Sequence, residues 1–98
     1  MVNKIEFSRH SLAELGEILT YLQQNASEQS VIRFSDLVKK KLLQLKSNLV
    51  EGRPVSAYKT IRFVRIGKYH RMYYRKHGSI LHITHFSDTR QDPDKSPY

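Results

Sequence analysis

The chain has 98 residues, enough for one domain with a modest core and not for a second. It contains no cysteine, which excludes disulfides, thiolate metal sites and a thiol nucleophile. Seventeen lysines and arginines stand against nine acids, for a formal net charge of +8.

The excess charge has a location. No acidic residue occurs between Glu51 and Asp88, and that interval holds Arg53, Lys59, Arg62, Arg65, Lys68, Arg71, Arg75 and Lys76. A localised basic patch attracts polyanions and speeds their association, nucleic acid being the commonest target and an acidic protein an equally good one. The opening stretch MVNKIEFSRHSLAEL lacks the apolar run of a signal peptide, and nowhere do about 18 apolar residues follow one another as a membrane span requires. The expectation is a soluble, cytoplasmic protein without membrane association.

In chain order, Val2 to Phe7 alternates and predicts an opening strand. Ser11-Leu12-Ala13-Glu14 fits a capping box, in which serine and glutamate satisfy free amides at a helix start. Leu12, Leu15, Leu19 and Leu22 then follow the helical period. Ser27 can cap a second helix, whose Val31, Phe34, Val38, Leu42, Leu45 and Leu49 form one apolar stripe. Two such helices with a short link form an antiparallel hairpin. The run Lys39-Lys40-Lys41 reads as the solvated face of the second helix. Ser47 to Lys59, containing Gly52-Arg53-Pro54, reads as a loop.

The remainder predicts three antiparallel strands. A two-residue turn at Gly78-Ser79 pairs His77 with Ile80, Tyr74 with Ile83 and Met72 with His85. A similar turn at Gly67-Lys68 pairs Ile66 with Tyr69, Phe63 with Met72 and Ile61 with Tyr74. Strand alternation then assigns Ile61, Phe63, Met72, Tyr74, Leu81 and Ile83 to the helices. Arg62, Val64, Tyr69, Arg71, Tyr73, Arg75, His82 and Thr84 fall on the opposite face. Arginine binds phosphate bidentately, tyrosine offers a stacking plane, and histidine exchanges protons near neutral pH. Arg62, Tyr69, Tyr73 and Arg75 are therefore the candidate nucleic-acid contacts. A merely solvated face would carry both signs of charge, and this one carries only one. His82-x-x-His85 has a metal-like spacing, but on a regular strand the two rings point to opposite faces, so no metal or other cofactor is expected.

EGRPV at 51 to 55, KYHRMYYRK at 68 to 76 and ILHITHFSDTRQDP at 80 to 93, in this order and after a helix hairpin, resemble the RelE/ParE superfamily of type II toxins. Tyr69, Arg71, Met72 and Tyr74 match its Tyr-x-Arg-hydrophobic-x-Tyr pattern, and Arg90 matches the arginine just past the last strand. The resemblance covers nearly the whole chain. It implies an α+β fold of order β-α-α-β-β-β, with the helix hairpin packed on one face of a small, mostly antiparallel sheet, and one domain over 1–98. It also implies a growth-inhibiting toxin with a cognate acidic antitoxin.

Two activities occur in that superfamily. RelE-like members cut messenger RNA on the ribosome without a metal; ParE-like members poison DNA gyrase and are not enzymes. For RNA cleavage the resemblance implies Arg71 and Arg90 as holders of phosphate and transition-state charge, and Tyr98 as the aromatic residue near the C-terminus. Lysines used by RelE-like enzymes for proton transfer are replaced here by Arg62 and, near the second position, Val64. Arginine is too basic to exchange a proton readily, so His82 is the candidate substitute. Cleavage is the leading expectation, gyrase inhibition the alternative, and a non-toxic basic nucleic-acid-binding module the third reading.

Overall fold

The computed structural model describes residues 2–90 and 96–98. Strand β1 (Lys4–Phe7) leads into helices α1 (Arg9–Asn25) and α2 (Glu28–Lys46), followed by β2 (Arg53–Val55), β3 (Tyr58–Ile66), β4 (His70–His77) and β5 (Ile80–Asp88). The five strands lie in the order β1-β5-β4-β3-β2, and only β1 pairs in parallel, with β5. The α+β architecture is the expected one with one strand more. The Gly52-Arg53-Pro54 segment, expected as loop, supplies β2, and its Pro54 is tolerated because β2 is an edge.

Both helices begin at serines. Ser27 caps α2 through its hydroxyl and the Ser30 amide, as its position suggests. α1 starts three residues earlier than the capping-box pattern indicates. Ser8 is its N-cap, accepting from the Ser11 amide at 3.0 Å, while Ser11 is fully buried and donates back to the Ser8 carbonyl at 2.8 Å. Glu14 is thereby released from the cap and reaches β5.

The β4–β5 turn is the predicted one. His77 pairs with Ile80, Tyr74 with Ile83, and Gly78 takes φ 60, the left-handed position that a tight turn of this kind requires. Two irregularities change the remaining registers. The β3–β4 connection has three residues, Gly67 to Tyr69, closing on Ile66 and His70, so β3 slides by one residue against β4. Val64 and Ile66, rather than Ile61 and Phe63, join Met72 and Tyr74 in the core. In β5, Thr84 is an extra residue between the pairs Tyr74–Ile83 and Tyr73–His85. Beyond this bulge Met72 faces Phe86 instead of His85, and His85 moves to the face away from the helices. Ser8 fixes the bulge from α1's first turn, donating its amide to the Ile83 carbonyl (2.9 Å) and its hydroxyl to the Thr84 carbonyl (2.8 Å).

The core lies between the sheet and the helices: Phe34, Val38 and Leu45 of α2 meet Ile66, Met72, Tyr74, Leu81, Ile83 and Phe86, with Leu15, Leu19 and Leu22 of α1 packed around them. Tyr74 is 1% exposed and its phenol oxygen accepts the Gly52 amide hydrogen at 2.7 Å. Burial pushes the Tyr74 hydroxyl pKa up, so the phenol is neutral. Gly52 has no room for a side chain, since a Cβ there would lie 2.5 Å from the Phe63 carbonyl and 2.8 Å from the Tyr74 ring. At the other end of the sheet His70 meets the edge of Phe34, with ring centroids 4.9 Å apart, and lies 3.8 Å from the Asp88 carboxylate.

Two stability outcomes follow from these contacts. Tyr74→Phe strands the buried Gly52 amide and is expected to cost about 1–3 kcal/mol in urea denaturation. Gly52→Ala, through overpacking, is expected to cost about the same or more. An unchanged midpoint in both would show that this contact does not hold the β2–β4 corner. The second concerns pH. Burial lowers the His70 pKa, outweighing the opposing pull of Asp88. The unfolded chain therefore takes up that proton first. Stability from His70 is complete above the unfolded value of about 6.5 and is lost as pH falls from there through the lower folded value. Denaturation midpoints at about pH 7.5 and about 5.5 should differ less for His70→Gln than for the parent chain; equal differences would remove His70 from the pH response.

Candidate nucleic-acid and target interface

The face of the sheet away from the helices is built by strand pairing. Across four strands Arg53 pairs with Phe63, Phe63 with Tyr73, and Tyr73 with His85. In the adjoining row Arg65 pairs with Arg71, and Arg71 with Ser87; toward the other end Arg75 pairs with His82. Phe63 and Tyr73 form an apolar centre with basic residues on both sides.

Ring contacts run through this centre. The Arg71 guanidinium carbon sits 4.5 Å from the Phe63 ring centroid; the Phe63 and Tyr73 centroids are 5.7 Å apart, Tyr73 and Tyr98 5.2 Å, Tyr98 and His85 5.4 Å, and His85 and His10 5.5 Å. Tyr58 adds an edge contact to Tyr98. The Tyr98 hydroxyl donates to the Thr84 hydroxyl oxygen at 2.7 Å, so the bulge that turns His85 outward also seats Tyr98. One Glu14 oxygen accepts both the Phe86 amide, at 3.1 Å, and His85 Nδ1, at 3.0 Å. A carboxylate only accepts, so Nδ1 carries the hydrogen of this contact.

Of the residues that the sequence places on this face, Arg71, Tyr73, Arg75 and His82 are there. His82 stands at the β1 edge, 3.5 Å from the Glu6 carboxylate. Tyr98 joins them, held over Tyr73. Arg62, Tyr69 and Arg90 do not. The three-residue β3–β4 loop puts Arg62 opposite Tyr74, where it donates to the Gly52 carbonyl at 2.7 Å and meets Glu51 at 3.3 Å. Tyr69 is the last loop residue, with the Arg90 guanidinium carbon 4.3 Å from its ring centroid. Arg90 itself is tied to Asp88 through Nε–Oδ1 (3.0 Å) and Nη2–Oδ2 (2.7 Å) contacts. Those hydrogen bonds hold the Asp88 carboxyl below the usual carboxylate range. Because Asp88 pairs with His70 on the helix side, Arg90 borders a recess of about 470 Å³ with Glu14, Glu17, Tyr21 and His70, and is separated by the sheet from Arg71. The Gln91-Asp92-Pro93 end of the recognised motif lies outside the described residues.

Three contributors were missed. Arg53 and Arg65 replace Arg62 on the basic face, and His85 joins His82. The Gly67-Lys68-Tyr69 spacing is compatible with a three-residue loop, which was the available clue to Arg65; the Thr84 bulge has no local sequence mark. No helix among the described residues is long and apolar enough to cross a membrane.

Comparison with known proteins agrees with this fold. The sequence model described as ParE toxin of type II toxin-antitoxin system, parDE, matches residues 5–93. A chain of the chromosomal ParDE toxin-antitoxin system from P. aeruginosa superposes with a TM-score of 0.72 at 14% identity, covering 89% of this chain and 96% of that one. A chain of the E. coli DinJ-YafQ complex gives 0.63 at 14% identity, covering 90% and 93%. A chain of the YoeB dimer from Staphylococcus aureus gives 0.61 at 22%, covering 87% and 94%. A search of the curated proteins found no match. With the family's sequence model spanning most of its length, and the helix hairpin and sheet of the superposed toxins, this chain belongs to the ParE toxins of type II toxin-antitoxin systems, within the RelE/ParE superfamily.

Proposed function

We propose that this toxin arrests growth by binding DNA gyrase rather than by cutting messenger RNA. The observation that carries this reading is the placement of Arg71 and Arg90 on opposite sides of the sheet. In-line cleavage needs the groups that hold the phosphate, take the 2′-hydroxyl proton and protonate the leaving oxygen to converge within hydrogen-bond reach of one reacting centre. Here Arg90 is engaged by Asp88 on the helix side, and His82 lies beside Glu6 at a sheet edge. Binding requires only a complementary surface, and the basic row around Phe63 and Tyr73 supplies one. The ParE family match supports the same target.

One feature favours the second reading, a metal-independent, ribosome-dependent ribonuclease. His85 is oriented by Glu14 and shares a face with Arg71, Tyr73 and Tyr98. In that case His85, not His82, is the general base, with Arg71 holding the phosphate.

The cognate partner under either reading is an antitoxin, as the ParDE and DinJ-YafQ assemblies among the superposed proteins suggest. The basic face calls for an acidic one, with carboxylates meeting Arg71 and Arg75. A segment that orders on binding forfeits about 2–5 kcal/mol, which keeps inhibition reversible.

Purified toxin should inhibit gyrase supercoiling while leaving messages in a bacterial translation extract uncut. Arg71→Ala should reduce gyrase inhibition about tenfold or more, the loss of roughly 1.4 kcal/mol of binding, and Arg90→Ala should leave it nearly intact. Cut messages, with cutting lost in His85→Gln and in Glu14→Gln, would establish the ribonuclease instead. Activity in neither assay would leave a basic binding module. Antitoxin association should slow as salt rises, because charge complementarity acts mainly on encounter; a rate that does not change with salt places the antitoxin away from the basic face.

A further inference from the structure

Glu14, Glu17 and Tyr21 follow one another on α1 at spacings of three and four, so they share one face of that helix, the face turned to the end of β5. With His70 at the start of β4 and the buried Phe86 they line the recess of about 470 Å³ behind the sheet, which Asp88 and Arg90 also border. In a chain of net charge +8, three of the nine acids meet at this one volume. The cation present there is engaged: Arg90 donates to Asp88 through Nε and Nη2 and lies over the Tyr69 ring. Tyr21 and Glu17 repeat that pairing of ring and carboxylate without a cation between them. Tyr21 is 56% exposed, and among the described residues Glu17 has no cation within salt-bridge distance.

His70 is the second feature of the recess that lacks a partner. Its side chain is 11% exposed, yet it makes no hydrogen bond among the described residues; Nε2 stands 3.8 Å from the Asp88 carboxylate, beyond hydrogen-bond length. A polar group this deeply buried is ordinarily satisfied, and leaving it unpaired costs stability. The neutral ring has one nitrogen with a lone pair, whichever of the two carries the hydrogen. Glu14 uses Oε1 for the His85 ring and the Phe86 amide, and its Oε2 has no partner among the described residues. The walls therefore present acceptors: the Glu17 carboxylate, Glu14 Oε2 and a His70 nitrogen. A flat cation with several donors matches them, and guanidinium is that group.

We propose that this recess takes the arginine side chain of a protein partner, with Glu17 as its counter-ion, Tyr21 as its stacking plane and His70 as the acceptor at the inner end. An ammonium would satisfy one carboxylate but is a point charge with no plane to lay on Tyr21. An arginine within a chain, rather than a free guanidine, is favoured by the strand edge beside the recess. β1 ends opposite Ile83 while β5 runs on to Asp88, and the Phe86 amide on that side is met by the Glu14 side chain instead of a strand. By strand alternation the Phe86 carbonyl and the Asp88 amide point the same way, so an extended backbone laid along this edge finds hydrogen-bond partners of its own. The site lies on the helix side of the sheet and rests on neither reading of the outer face.

The test is a nuclear magnetic resonance titration of the isotope-labelled full chain with a capped Gly-Arg-Gly peptide, at constant ionic strength and about pH 7.5, where the His70 ring is neutral. The amides of Glu17, Tyr21 and Asp88 and the ring of His70 should shift and saturate together. Capped Gly-Lys-Gly should bind several-fold more weakly, and so should agmatine, which has the guanidinium but no peptide backbone. Glu17→Gln and Tyr21→Ala, at exposed positions and expected to leave the melting temperature unchanged, should each weaken the arginine peptide several-fold. Asp36→Asn removes the same charge from the exposed face of α2 and should change nothing. Equal binding of the arginine and lysine peptides would reduce the recess to an acidic surface and overturn the proposal. Agmatine binding as tightly as the peptide would overturn it in favour of a free guanidine, and so would unchanged affinity in both the Glu17 and Tyr21 variants in favour of another location.

Discussion

The single extra residue in β5 is the constraint on which most of the molecule depends. Thr84 bulges between Ile83 and His85, and its carbonyl is held by the Ser8 hydroxyl that also caps α1. That contact fixes where α1 leaves the sheet. A strand without the bulge would turn His85 inward and Phe86 outward. With it, Phe86 enters the core against Met72 and stacks over Phe7 with rings 6.5 Å apart. The bulge hydroxyl then receives Tyr98. Helix attachment, core composition and the aromatic face are thus set by one local irregularity.

Charge is sorted by the same geometry. The acids near the sheet are engaged at its edges or on its helix side: Glu51 with Arg62, Asp88 with Arg90 and His70, Glu6 with Lys4 and His82, and Glu14 with His85. The Lys4 hydrogen bond holds the exposed Glu6 carboxyl below its ordinary value. The outer face keeps Arg53, Arg65, Arg71 and Arg75 without such partners among the described residues. Relieving that repulsion by substitution would be simple for a surface that only had to be soluble. Its presence beside an aromatic centre suits the binding surface proposed above.

Much of this fold is legible in the sequence because its signals are local. The leucine spacing of α1 from Leu15, the apolar stripe of α2 as far as Leu45, Ser27 as a cap and the Gly78 turn each depend on a few neighbouring residues and each is found, whereas Leu12 is exposed and Leu49 lies exposed past the end of α2. What was misread depends on distant partners. Ser8 and Ser11 are both plausible caps, and the choice is made by Thr84, seventy-six residues away from Ser8. Two- and three-residue loops both suit Gly67, and burial of Ile66 and Val64 under α2 selects the longer. That one-residue difference moved Arg62 off the basic face and brought Arg65 onto it. Arg71, Tyr73 and Arg75 were placed correctly because β4 is the strand from which both registers were counted.

The positions of His85 in front of the sheet and of Arg90 behind it both follow from the Thr84 bulge. Counting from Ile83, a strand that runs regularly through Thr84 and one that bulges there place all later residues on opposite faces. As the chain stands, His85 faces outward beside Tyr73, while Asp88 faces the helices and takes Arg90 with it. Were Thr84 an ordinary strand position and not a bulge, the opposite would hold: the strand end carrying Asp88 would share a face with Arg71, and His85 would turn toward the helices. His85 and the Asp88–Arg90 pair therefore take opposite faces through the parity of one strand. In this chain the bulge puts His85 on the outer face with Arg71 and fastens Arg90 to Asp88 behind the sheet.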